Sequence, residues 1–369
     1  MFNIVLNVAG SLMHLYVLAR LYRIDAIRSR FKPGAWALAG LLVWLVYLGG
    51  VHLGDEAMDW RWWPGQFAMT WLGIVFVMSV CLLIADIATG FGTWWRPHNR
   101  KLTAGAAVLG ALVSGFAIYQ AVRTPVVVEH EVVLPGLPQQ LDGTVLVALS
   151  DIHLGAQRRA AWMEQVVERI NAQNPAAVLL LGDQVEDEPA ADPRLAGVLR
   201  AIRAPRGVWA VTGNHEYYGD AAGTIAEFEA GGVHWLRDQR VELLPGLHLA
   251  GLDDIGSRMR RGGDILSGLD RLYPARAEGA AILMAHIPAA PVIERAAAHG
   301  IGLMLSGHTH GGQIWPFNYA VQRRFPQVVG AHRIQDLQLI ISRGAGSWGP
   351  RMRLWKPGEM LKITLRAPR

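Results

Sequence analysis

The stretch V-L-V-A-L-S-D-I-H-L-G, Val145 to Gly155, decides how this chain folds. Val145–Ser150 is a short apolar run bounded by polar residues, the pattern of a fully buried strand. Asp151 and His153 follow at once, two apart on extended backbone, so both can point to the same side. Four more stretches repeat the pattern. Val178–Gly182 runs into Asp183, Val208–Gly213 into Asn214 and His215, Ala281–Ala285 into His286, and Leu303–Gly307 into His308 and His310. Strand ends along one edge of an open α/β sheet are where such folds assemble sites. Carboxylates, imidazoles and an amide converging there match the needs of two divalent metals.

Between and after these runs lie helix candidates at Ala161–Asn171, Leu195–Arg203, Thr224–Gly231 and Ala289–His299. Strands alternating with helices predict a layered α/β domain. Val241–Leu244, Leu247–Gly251, Leu337–Ser342 and Met360–Leu365 read as strands without intervening helices, and Pro125–Leu134 alternates like an edge strand. The expected architecture is a two-sheet sandwich of mixed strands with helices outside, in α/β/β/α order.

Upstream the composition changes. The chain has 369 residues, of which 51% are hydrophobic and only 18% charged, too apolar for an ordinary soluble protein. Crossing a bilayer takes about 20 apolar residues. Four stretches qualify, at about 3–21, 34–54, 65–86 and 102–122, so residues 1–123 are expected to form an all-α transmembrane domain and 124–369 the α/β domain. The first stretch is the weakest, since it carries Asn3, Asn7 and His14. Gly105, Gly110 and Gly115 would permit close helix contacts in the last.

Loop charges predict orientation. Arg20, Arg23, Arg28, Arg30 and Lys32 crowd the first loop, and Arg96, Arg100 and Lys101 the third. The second holds Asp55, Glu56 and Asp59 against Arg61. The first and third loops are therefore expected inside, and the C-terminal domain on the outer face. Trp60, Trp62 and Trp63, with Trp94 and Trp95, suit interfacial belts. The net charge of +5 is spread along membrane flanks, so a lipid bilayer is the expected partner and nucleic acid is not. The single cysteine, Cys81, excludes a disulfide framework within the chain.

The five blocks in this order, ending in Gly307-His308-Thr309-His310-Gly311-Gly312-Gln313, resemble the calcineurin-like metallophosphoesterase superfamily. With Ser342-Arg343-Gly344-Ala345-Gly346 downstream, the chain is similar to its membrane-associated branch, the YkuE- and YaeI-like proteins and transmembrane proteins with a metallophosphoesterase domain. The resemblance implies that Asp151, His153 and His310 hold one metal, that Asn214, His286 and His308 hold a second, and that Asp183 bridges them. It implies His215 as proton donor rather than ligand. Gln184 and Glu216 depart from the commoner residues without removing a ligand. Mixed oxygen and nitrogen donors suit two divalent Mn, Fe or Zn ions better than Ca or Mg.

The function so implied is hydrolysis of a phosphoester, a phosphodiester or pyrophosphate that could be lipid-linked, by in-line attack of a metal-bridging hydroxide. A bacterial inner membrane is the expected location. The competing reading is a membrane sensor whose phosphoesterase-like domain binds without turnover. A transporter is disfavoured, because Asp86 is nearly the only charge inside the spans. Arg258, Arg260 and Arg261, and then Arg343, Arg351, Arg353 and Lys356 among Trp348 and Trp355, are candidate phosphate or bilayer contacts, as are Trp315 and Phe317. Asp253 and Asp254 read as structural, and Glu186, Asp187 and Glu188 as a solvated loop.

Overall fold

The computed structural model describes residues 2–53, 62–155, 160–186 and 192–369. The chain divides into two compact units, Met1–Val122 with Gly349–Lys356, and Arg123–Trp348 with Pro357–Arg369.

The first unit contains α1 (Phe2–Leu21), the single turn α2 (Asp25–Arg28), α3 (Pro33–Leu53), α4 (Trp62–Ala88) and α5 (Asn99–Val122). Pro33–Val51, Trp63–Ala88 and Asn99–Val122 are long and apolar enough to cross a membrane. The apolar part of α1, Leu6–Leu21, is shorter. It is also the polar seam of the unit. Arg20 and Asp86 form a buried ion pair, and Tyr16 Oη donates to Asp86 at 2.6 Å. His14 Nε2 lies 3.0 Å from the Gly40 carbonyl, and Trp71 Nε1 donates to His14 Nδ1 at 3.1 Å. Arg20, counted among the loop charges in the sequence, is thus spent inside the bundle. Buried charges in such helices need partners, and here they find each other. The second-loop residues Asp55, Glu56, Asp59, Trp60 and Arg61 and the Trp62 side chain lie outside the described residues. Of the three glycines in α5, Gly110 sits at a helix contact, where a Cβ would meet Met78 Sδ at 2.7 Å; Gly105 and Gly115 face open space.

Gly349–Lys356 packs with these helices although its flanking strands do not belong to them. Arg353 N donates to the Ala117 carbonyl at 2.8 Å, and Gln120 Nε2 donates to the Trp355 carbonyl at 2.7 Å. Met352 and Arg353 are buried. The segment bends repeatedly, with positive φ at Gly349 and Trp355. The sequence offers no periodicity that would assign it to the bundle rather than to the α/β domain.

The second unit is a two-sheet sandwich. In chain order its strands are β1 (Val126–Val133), β2 (Val145–Leu149), β3 (Ala177–Leu180), β4 (Val208–Ala210), β5 (Val233–Trp235), β6 (Gln239–Leu244), β7 (Leu247–Gly251), β8 (Ala280–Met284), β9 (Leu303–Ser306), β10 (Gly330–Ile334), β11 (Leu337–Ile341) and β12 (Glu359–Arg366). Its helices are α6 (Ala160–Asn171), α7 (Leu195–Arg200), α8 (Ala221–Ala230), α9 (Ile255–Arg260), α10 (Ser267–Leu272), α11 (Ala290–Ala298) and α12 (Asn318–Arg324). One sheet runs β1-β12-β2-β3-β4-β5 and the other β10-β11-β9-β8-β7-β6. β2 to β5 are parallel, as are β7, β8, β9 and β11, while β12 against β2, β6 against β7 and β10 against β11 are antiparallel. The sheets are mixed, as expected.

The period-two alternation of each strand builds the layers. Leu146 and Ala148 point between the sheets with Leu179, Leu249, Ile282 and Leu305. Val147 and Leu149 point outward onto Met163, Val166 and Ile170 of α6. Leu283 and Met304 face Val292 and Ile293 of α11 on the other side. Three apolar layers thus hold four layers of secondary structure. Strands β2, β3 and β4 and strands β8 and β9 end in the loops that carry every candidate ligand.

Candidate dinuclear metal centre

Three of the five ligand loops begin with a forced turn. Asp151, His153, Asp183, His308 and His310 all have positive φ, between 50 and 69°. Such backbone is uncommon for residues other than glycine and costs of order 1 kcal/mol or more at each. The strain of these turns falls on the candidate ligands themselves. Gly213 and Gly307 serve a different need. A Cβ on Gly213 would collide with the Asp183 carboxylate, and one on Gly307 with Ser150 and Asp151. The loops approach one another this closely because no side chain intervenes.

The result is one buried cluster. Asp151, His153 and His310 bring one donor atom each within 4.8 Å of one another, and so do Asp183, His286 and His308. His310 Nε2 lies 3.2 Å from Asp151 Oδ1 and 3.2 Å from His153 Nε2. Asp183 Oδ2 lies 3.1 Å from His286 Nε2 and 3.9 Å from His153 Nε2. Asp183 therefore belongs to one group and reaches toward the other, as a bridging carboxylate would need to. Asn214 and His215 open the next loop, and His215 N donates to Asp183 Oδ1 at 2.9 Å. All eight residues singled out in the sequence gather here.

The surroundings orient these side chains. His286 Nδ1 bonds the Leu181 carbonyl at 2.8 Å, which turns Nε2 inward. His308 N donates to both Asp151 oxygens at 3.1 Å. Glu216 is fully buried and accepts from the amides of Gly213 at 2.6 Å, Gln184 at 2.7 Å and Asp183 at 3.1 Å. It clamps the third loop onto the second. Glu186 contacts His153 Nδ1 through its carboxylate at 2.9 Å, and its carbonyl bonds His215 Nδ1. The sequence reading placed Glu186 in a solvated loop with Asp187 and Glu188; the structure places it against two site histidines, and a bridge from Leu154 to Val185 brings it there. Asp187 and Glu188 lie outside the described residues. Position three residues beyond Asp183 was the one available signal.

Charge is balanced within the cluster. Burial raises Asp151. Burial also opposes charge on Asp183, but His286, His215 and His153 outweigh it and hold that carboxyl well below the usual range. Burial would lower His286, yet Asp183, Asp151 and Asp254 bring it up to about 10. Burial and the neighbouring His286 push His308 down to about 3, leaving a neutral imidazole suited to ligation. Asn214 Oδ1 is buried with no hydrogen-bond partner. Buried polar groups are nearly always satisfied, so this oxygen calls for a ligand. Aspartates, imidazoles and one amide oxygen around two adjacent foci fit a pair of divalent cations.

Other candidates have settled roles. Asp253 accepts from Tyr217 Oη at 2.6 Å, Thr212 Oγ1 at 2.8 Å and Arg237 Nε at 3.0 Å. Asp254 caps α9, accepting from Gly256 N and Ser257 N. Arg343 is paired with Glu359 at 2.8 Å and Arg353 is buried, so neither presents an exposed guanidinium.

The chain belongs to the calcineurin-like phosphoesterase family, whose model matches residues 144–312. A transmembrane protein with metallophosphoesterase domain from Danio rerio is 30% identical over 278 residues, which cover 72% of this chain and 63% of that relative. The chain therefore spans less than two thirds of that relative's length. An uncharacterized metallophosphoesterase from Aquifex aeolicus (strain VF5) is 31% identical over 221 residues, 59% of this chain and 83% of the relative. Among solved structures, a dimetal phosphatase from Danio rerio superposes with a TM-score of 0.35 at 13% identity, over 55% of this chain and 88% of that one. Members of the family are generally hydrolases, and the metal-binding residue types of the family are present here.

Proposed function

We propose that the protein is a membrane-anchored phosphoesterase with two divalent metals, Mn, Fe or Zn, at this cluster. The observation that carries the reading is that Asp183 completes one three-residue donor group and lies 3.9 Å from His153 of the other. When bound, the cations would supply Lewis acidity to phosphoryl oxygens and to water. Asp151, His153 and His310 would hold the first and Asn214, His286 and His308 the second, with Asp183 shared. Water attacks phosphorus opposite the leaving oxygen and releases a proton to solvent as the bond from phosphorus to that oxygen breaks. His215 gives the proton that the departing oxygen needs. Its Nδ1 is tied to the Glu186 carbonyl, so Nε2 is the atom that faces the reaction.

Three apolar helices support anchoring in a bilayer. With Arg20 paired inside, Arg23, Arg28, Arg30 and Lys32 still leave the first loop basic and favour an inside position. The catalytic domain then lies on the outer face of a bacterial inner membrane. Exposed Trp315 and Phe317, following His310, suit a lipid-linked phosphodiester or pyrophosphate.

The test is turnover of bis(4-nitrophenyl) phosphate and 4-nitrophenyl phosphate by the full chain in detergent with added Mn. Asp183→Ala should abolish activity and lower bound metal. His215→Ala should cut kcat by about 10²–10⁴ while two metals stay bound. Two bound metals without turnover of either ester would instead favour an idle sensor domain.

A further inference from the structure

Outside the donor cluster, one side chain touches three parts of the site at once. Tyr218 Oη accepts from Asn214 Nδ2 at 2.9 Å. That bond sets which way the amide faces and leaves Oδ1 as the inward atom. The Tyr218 ring meets the His215 ring edge-on, 4.7 Å between centres. The guanidinium of Arg260 lies over the same ring at 5.3 Å. The proton donor and a cation are therefore both within 5.3 Å of one aromatic centre.

Arg260 is held there by the fold. It closes α9, whose cap Asp254 donates its amide to the Thr212 hydroxyl at 2.9 Å. Thr212 lies just beyond β4, two residues before Asn214. The same loop positions both the ligand and the arginine. The neighbouring arginines are committed elsewhere. Arg258 pairs with Asp238 at 2.5 Å and donates to Ser267 at 2.9 Å. Arg261 bonds Ser257 and covers the Tyr217 ring. Arg260 is exposed, and among the described residues it has no hydrogen bond or ion pair. A guanidinium stacked on an aromatic face keeps its edge donors free for an anion.

We infer that Arg260, seated on Tyr218, is a specificity-determining residue that binds an anionic group on the leaving portion of the substrate. The inference rests on the hydrolase reading, because His215 defines the leaving side. It narrows the substrate class to phosphoesters whose leaving group carries its own negative charge, such as a second phosphate or a carboxylate. Tyr218 is the positioning residue for Arg260 and for the Asn214 amide.

The experiment compares two diesters with one reacting centre, methyl 4-nitrophenyl phosphate and methyl 3-carboxy-4-nitrophenyl phosphate, on the full chain with Mn. The wild type should prefer the carboxylated ester in kcat/KM by about tenfold, the size of one charge-assisted hydrogen bond. Arg260→Ala and Arg260→Gln should bring that ratio near one, and Arg260→Lys should keep part of it. Tyr218→Phe should weaken the second of two Mn binding events about tenfold by calorimetry, without turnover being involved. A binding readout separates this inference from the hydrolase reading. Imidodiphosphate should bind the Mn-loaded wild type about tenfold more tightly than orthophosphate, and Arg260→Ala should erase the difference. If that holds without turnover of any ester, the subsite stands and the hydrolase reading falls. A wild type indifferent to the extra charge in both measurements, or a ratio that survives Arg260→Ala, overturns the inference.

Discussion

Glu216 reaches from the third ligand loop to the second and accepts the amide of Asp183, 3.1 Å away. The backbone that aims the shared carboxylate is therefore held by a residue that is not itself placed among the ligands. Glu216→Ala would leave the amides of Gly213, Asp183 and Gln184 buried and unpaired. Each such group costs about 1–3 kcal/mol. The expected outcome is a loss of at least about 3 kcal/mol in urea unfolding, with Glu216→Gln in between. Unchanged stability in Glu216→Ala would show that these amides find other partners.

Metal removal should loosen the α/β domain as well as stop turnover. Strained donors crowd the cluster, and cations that bind only the folded state stabilise it. At about 100 times Kd that linkage is worth about 2.7 kcal/mol per site. Chelation should lower the midpoint of thermal unfolding, and Mn should restore it in proportion to its concentration. In Asp183→Asn the same titration should give a much smaller rise.

In the helical unit, Arg20 and Asp86 are each other's charge partner. Asp86→Ala would leave an uncompensated buried guanidinium, which costs about 3–5 kcal/mol. Arg20→Ala/Asp86→Ala should cost less than Asp86→Ala alone. Thermal stability in detergent measures both, and strict additivity would mean that the pair does not interact.

Asp253, outside the ligand set, gives a pH dependence of its own. Burial opposes its charge, but hydrogen bonds from Arg237, Tyr217 and Thr212 hold its carboxyl below the ordinary value. A carboxyl lowered in the folded state adds stability above its unfolded pKa of about 3.9 and loses it as pH falls through the folded value. The wild type should therefore lose more stability than Asp253→Asn between about pH 5 and pH 3. Parallel losses in the two proteins would refute this assignment.

Much of the site was readable before any coordinates. Asp151, Asp183, Asn214, His286 and His308 each follow an apolar run, and a buried strand must end where polar residues begin. Convergence of those ends follows from the layered α/β pattern. The partners of the ligands were not readable. Glu216 and Glu186 act on groups brought near only by tertiary structure, and their sequence surroundings look like any acidic loop. Strand pairing over long separations was also hidden. β12 lies between β1 and β2, yet nothing in Glu359–Arg366 names its neighbours. Arg20 looked like a loop charge because hydropathy says nothing about an ion pair with a residue on another helix.

The segment Gly349–Lys356 has a further consequence for biosynthesis. The helices precede this stretch in the chain, and their bundle is completed only once the sequence beyond Trp348 is available. The sheet waits equally, because among the described residues β1 has β12 alone as its neighbour. A chain cut after Ile341 would therefore cripple both units.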